Sequence, residues 1–153
     1  AAALHDMCDD KYTNVDEGMH DINLFLERNS IKPIERKAIL DIISTMSYSK
    51  VKKNGFPCHG EYQRAFHIVR EADLLAAYDF DRCILYKMHR DQNGDVDTAF
   101  REAEDLFKDR VFKHKIHGLL TTKYATDQHD LLCATAEASI ETWRNMLSRI
   151  RPM

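Results

Sequence analysis

Apolar residues recur along this chain at three- and four-residue intervals, the spacing of helices with one buried face. Ile22, Phe25 and Leu26 form one such stripe, and Ile39, Ile42, Ile43 and Met46 form the next. Phe66, Val69, Ala72, Leu75 and Ala76 predict a long helix from about Glu61 to Tyr78, and a further helix is predicted from Asp81 to Met88. Val96, Ala99, Phe100, Ala103, Leu106, Phe107 and Val111 mark a clean amphipathic helix. The last helix, from about Asp127, presents Ala136, Ile140, Trp143, Leu147 and Ile150. The opening Ala1 to Cys8 reads as the tail of a buried helix, because its Ala-Ala-Ala-Leu run is a strong helix former.

Polar punctuation sets the boundaries. Thr13 and Asp16 fit a capping box before the Ile22 stripe, with Thr13 as cap and Asp16 reaching back. Pro33 suits a first helical turn, with Glu35 well placed at the positive end of the dipole. Ser47 to Gly60 predicts the main irregular segment, since Asn54-Gly55, Pro57 and Gly60 are turn chemistry and Lys50, Lys52 and Lys53 add charge. Asp91-Gln92-Asn93-Gly94 predicts a break. No internal repeat, low-complexity tract or linker is evident.

The chain's 153 residues suit one domain, over 1–153, able to bury roughly 70% of its unfolded surface. Only 5 Gly and 3 Pro favour helices over strands, so the expected architecture is an all-α, single-domain helical bundle. A formal charge of -3 argues against a general affinity for nucleic acid. Cys8, Cys58, Cys83 and Cys133 are widely spread with no C-x-x-C pair, which argues against a disulfide framework or a zinc finger. No run approaches the roughly 18 apolar residues of a membrane span. A cytoplasmic, intracellular setting is expected.

The first candidate chemistry is the adjacent pair His5-Asp6, which offers a metal an imidazole nitrogen and a carboxylate oxygen. The bland alternative is a buried histidine beside a capping aspartate. The pair follows apolar residues, where ionisable groups are expensive unless paired or metal-bound. Asp73 lies between Ala72 and Leu74-Leu75-Ala76-Ala77, and a carboxylate on an apolar face needs a partner, whether an arginine or a metal.

Leu4-His5-Asp6-Met7-Cys8-Asp9-Asp10-Lys11-Tyr12, then Ser47-Tyr48-Ser49, then Glu71-Ala72-Asp73-Leu74-Leu75 resemble, in order and spacing, the HD-domain superfamily of metal-dependent phosphohydrolases, closest to its small single-domain members. The resemblance covers Ala1 to about Tyr78. It implies a helical fold and one divalent metal ion held by His5, Asp6, Asp73 and a further His. Asp9 and Asp10 stand where such enzymes place acidic residues that orient water or relay protons, and Lys11 looks like a phosphate contact. Lys11, Tyr48 and Lys50 are the expected substrate contacts.

The departures are specific. The family's first His lies on a helix upstream of the HD pair, so a preceding helix is expected outside this sequence, or the site lacks a ligand. The Arg and second Asp of the family's distal motif are here Leu74 and Ala76, and one additional His position of two-metal members is Met46, which favours a single metal. His20, His59 and His67 are secondary candidates, set against packed or surface histidines. Mixed N/O ligation suits Mn, Fe, Co, Ni, Zn or Mg.

Two other patterns compete. Asp91, Asn93, Asp95 and Glu102 match four positions of an EF-hand loop, but the required Gly is Val96; the alternative is a turn with Asp95 or Asp97 capping a helix. Lys108, Arg110, Lys113, His114, Lys115 and His117 form a basic run, read against a solvated helix end. The expectation is therefore hydrolysis of a phosphate ester or anhydride of a nucleotide or other small phosphorylated metabolite, without membrane or nucleic-acid partners and with room for a homo-oligomer. The alternative is a degenerate HD domain that binds a nucleotide or protein partner without turnover.

Overall fold

The computed structural model describes residues 1–8, 14–90 and 95–150; Ile150 is described by its backbone alone. Among the described residues the protein is all-α, with no strand. The chain divides into two compact units, Ala1–Arg70 and Glu71–Met153.

The first unit opens with a 3₁₀ helix, Ala2–Cys8, followed by α1 (Val15–Arg28), α2 (Pro33–Thr45) and α3 (Tyr48–Asn54). A 3₁₀ turn, Gly60–Tyr62, then leads into α4 (Gln63–Ala76), of which residues 63–70 belong to this unit. The opening segment is not a buried α-helix: none of its residues is fully buried. Leu4 and Cys8 instead lean on the small core formed by Ile22, Leu26 and Ile43. Phe25 was expected in that core, yet it is exposed. Ile22 and Leu26, four residues apart, take the inner face and leave Phe25 on its flank.

Thr13 lies outside the described residues. The observed N-cap of α1 is Asn14, whose side chain accepts the Asp16 amide at 3.0 Å. Pro33 occupies the start of α2 as expected. The segment read as irregular contains α3, capped by the Ser47 hydroxyl and ended by Gly55, whose φ of 76° favours glycine. Only Val51 of α3 is buried, so its lysines masked the helix.

The second unit contains the end of α4, then α5 (Phe80–Arg90), α6 (Val96–Asp109), a 3₁₀ turn at Val111–Lys113, and α7 (Lys123–Ile150). α5 and α6 pack on each other and both touch α7. The core is aromatic: the Phe80 ring meets Phe107 edge-on at 5.0 Å and Phe100 at 5.8 Å. Ala99 and Ala103 keep α6 close to its neighbours, and Ala136, Ile140 and Leu147 close the core from α7. Leu106, predicted inward, lies at the exposed rim.

Candidate functional site

His5 and Asp6 sit on the opening 3₁₀ helix. The His5 Nδ1 lies 2.7 Å from the Ala2 carbonyl oxygen. A carbonyl can only accept, so Nδ1 carries the hydrogen of this bond. In the neutral ring Nε2 then presents its lone pair, and it stands 3.2 Å from Asp6 Oδ1. Two electron-rich atoms at that distance call for a cation between them, either a proton on Nε2 or a metal ion. A histidine whose other ring nitrogen is anchored on a carbonyl is the usual arrangement for a metal-binding imidazole. The pair is accessible, with His5 26% and Asp6 84% exposed in their side chains.

Gly18 of α1 borders this segment. A Cβ on Gly18 would stand 2.7 Å from the Met7 carbonyl oxygen and 3.2 Å from Cys8 Sγ. Burial raises the Cys8 thiol pKa and the positive charge of Lys50 opposes that rise, which places Lys50 in the electrostatic neighbourhood of the 3₁₀ helix. The Lys50 ammonium donates to the Ser44 carbonyl at 2.7 Å. Tyr48, half-buried at the start of α3, lies under the Lys52 ammonium at 5.5 Å.

The other predicted site residues fall differently. Asp9, Asp10 and Lys11 lie outside the described residues. Asp73 is on α4 in the second unit, and it is exposed rather than set on an apolar face. The buried carboxylate of α4 is Glu71, which sequence reasoning passed over. Its Oε1 accepts the Thr121 amide at 2.7 Å and the Thr121 hydroxyl at 2.6 Å, and its Oε2 accepts the Thr122 amide at 3.0 Å. Burial raises the Glu71 pKa, but these bonds outweigh it and hold the carboxyl below the usual glutamate range. Glu71 thus anchors the chain where α7 begins, a structural role.

The secondary histidines have mundane settings. His20 is exposed on α1. His59 Nε2 meets the Thr45 hydroxyl at 3.1 Å, and His67 Nε2 meets the Gln63 amide at 3.1 Å. His59 and Cys58 line a half-open cavity of about 200 Å³ beside α2, whose lining does not include His5, Asp6, Tyr48 or Lys50. Among the described residues no three His, Cys, Asp or Glu side chains stand together as a complete ligand set.

Of the EF-hand pattern, Asp91 and Asn93 lie outside the described residues. Asp95 is the N-cap of α6, accepting the Thr98 amide at 3.2 Å, and Glu102 pairs with Lys87 at 2.9 Å. The basic run is dispersed: Lys108 pairs with Glu104 and Lys115 with Asp130, while His114 is buried. A second buried polar group, absent from the sequence reading, joins Tyr78, His129 and Cys133. The Tyr78 hydroxyl lies 3.1 Å from the Val111 carbonyl and 2.6 Å from His129 Nδ1.

Among the described residues no helix is long and apolar enough to cross a membrane. No protein-family model, curated protein or solved structure matches the chain.

Proposed function

We propose that this chain is a metal-dependent phosphohydrolase of the HD type, cleaving a phosphate ester or anhydride of a nucleotide or small metabolite. The observation that carries this reading is the His5–Asp6 pair: a carbonyl-anchored imidazole with Nε2 3.2 Å from a carboxylate oxygen. These two donors fit one divalent ion of the Mn, Fe, Co, Ni, Zn or Mg group, and Asp73 joins the ligand set only through the resemblance to the HD pattern. Such an ion supplies Lewis acidity toward a phosphoryl oxygen and acidifies water.

The chain's own groups do the rest. The Ala2 carbonyl fixes the His5 tautomer. Asp9 or Asp10 accepts the proton released when water attacks phosphorus. Lys11 and Lys50 offset phosphate charge, and Tyr48 is the further substrate contact the resemblance implies. The free state of Cys8, Cys58, Cys83 and Cys133 supports an intracellular location.

The second reading uses the same contact. A proton between His5 and Asp6 gives an imidazolium–carboxylate pair in a domain that binds a partner without turnover. Elemental analysis of purified wild type and His5→Ala separates the two. Near-stoichiometric divalent metal, lost in the variant, together with phosphatase activity on nucleotides supports the hydrolase. A wild-type protein that stays metal-free after soaking in manganese overturns it.

A further inference from the structure

Gly18 stands within α1, where glycine is less favourable than alanine. The approach of the 3₁₀ helix accounts for it. Gly18 is buried, and an added Cβ would meet the Met7 carbonyl oxygen at 2.7 Å, Cys8 Sγ at 3.2 Å and Cys8 Cα at 3.3 Å. Two of those atoms belong to backbone, so no side-chain rotation relieves the crowding. The peptide that would have to move joins Met7 to Cys8, one residue beyond Asp6.

We propose that Gly18 is a positioning residue for the His5–Asp6 pair: it lets the Ala2–Cys8 helix seat on α1 and so fixes the direction of both donors. This rests on the metal-site reading of that pair. The His5 ring is anchored by the Ala2 carbonyl three residues back. That helix has no buried residue of its own. Its seat is therefore set by Leu4 and Cys8 against the α1 core and by the bare backbone at Gly18. Lifting Met7 away from α1 turns the peptide that carries Asp6 and opens the 3.2 Å approach to His5.

The test measures manganese(II) affinity, by titration with electron paramagnetic resonance of free Mn, in wild type, Gly18→Ala, His5→Ala and the exposed α1 control Asp21→Ala. The expected result is binding by wild type and Asp21→Ala, none by His5→Ala, and at least tenfold weaker binding by Gly18→Ala with unchanged helical circular dichroism. Wild-type affinity in Gly18→Ala overturns the positioning role and leaves the metal site standing. Absence of binding in wild type overturns the metal-site reading and the positioning role with it. Should Gly18→Ala not fold, the wild type provides the second measurement. Cys8 lies against Gly18, so metal that favours the seated helix slows alkylation of Cys8 by iodoacetamide several-fold, read by peptide mass mapping. An alkylation rate unchanged by manganese overturns the proposal.

Discussion

The Glu71 carboxylate receives the Thr121 amide at 2.7 Å, fifty residues along the chain, and so ties α4 to the start of α7 within the second unit. Thr122 contributes its own amide and then caps α7, its hydroxyl accepting the Ala125 amide at 3.2 Å. Replacing Glu71 by alanine leaves these partly buried donors without their acceptor. The expected loss is about 3 kcal/mol, read from urea unfolding. The pH dependence has a definite sign. The hydrogen bonds hold the folded pKa below the ordinary glutamate value, so the stabilisation is present above that value and is lost as pH falls through the folded one. Wild type should lose melting temperature below pH about 4.5, with a shallower loss in Glu71→Gln. Parallel curves would show that Glu71 is not the group responsible.

The Tyr78–His129 contact makes a second prediction with the opposite titrating species. Burial lowers the His129 pKa and Lys115 lowers it further, while Asp130 opposes them. A folded pKa below the ordinary histidine value means that the unfolded chain takes a proton the folded protein resists. Stability is therefore full above that pH and declines as pH falls toward the folded pKa. His129→Gln removes this component of the decline. Tyr78→Phe leaves the Val111 carbonyl and His129 Nδ1 without the phenol and costs about 1–3 kcal/mol at neutral pH. An unchanged unfolding midpoint in Tyr78→Phe would contradict the burial of this group.

Asp95 offers a prediction that separates a cap from a calcium ligand. Its carboxylate accepts from the Thr98 amide and hydroxyl, and Glu102 is engaged by Lys87 and Arg90. Asp95→Ala is expected to cost about 1 kcal/mol whether or not calcium is present. A calcium-dependent rise in melting temperature that vanishes in Asp95→Ala would reinstate the EF-hand pattern.

How much of this was legible depended on whether a residue's surroundings lay nearby in sequence. α6 was, because Ala99, Phe100, Ala103 and Phe107 repeat with helical period and Asp95 caps them. α3 was not: with Lys50, Lys52 and Lys53 around a single buried Val51, it has no apolar period to read. The His5–Asp6 pair was visible as neighbours, while the 3₁₀ winding that brings Nε2 within 3.2 Å of Oδ1 was not. On α4, Glu71 and Asp73 are two residues apart and so point to nearly opposite sides. Local sequence could not say which faced inward, because the deciding partners, Thr121 and Thr122, lie fifty residues away. Apolar flanks at Ala72 and Leu74 drew attention to Asp73 instead.

That exposure changes what Asp73 substitution should do. A buried, paired carboxylate would lose about 3–5 kcal/mol on truncation to alanine. Asp73 is on the surface of α4, so Asp73→Ala should leave stability within about 0.5 kcal/mol of wild type. If Asp73 is the distal ligand of the proposed site, the same substitution abolishes metal binding and phosphatase activity in a protein that unfolds like wild type. The measurement pairs a urea curve with metal content on one sample. Lost metal with an unchanged curve assigns Asp73 to the site. Retained metal and activity would remove it from the ligand set and leave His5 and Asp6 to be completed by other donors.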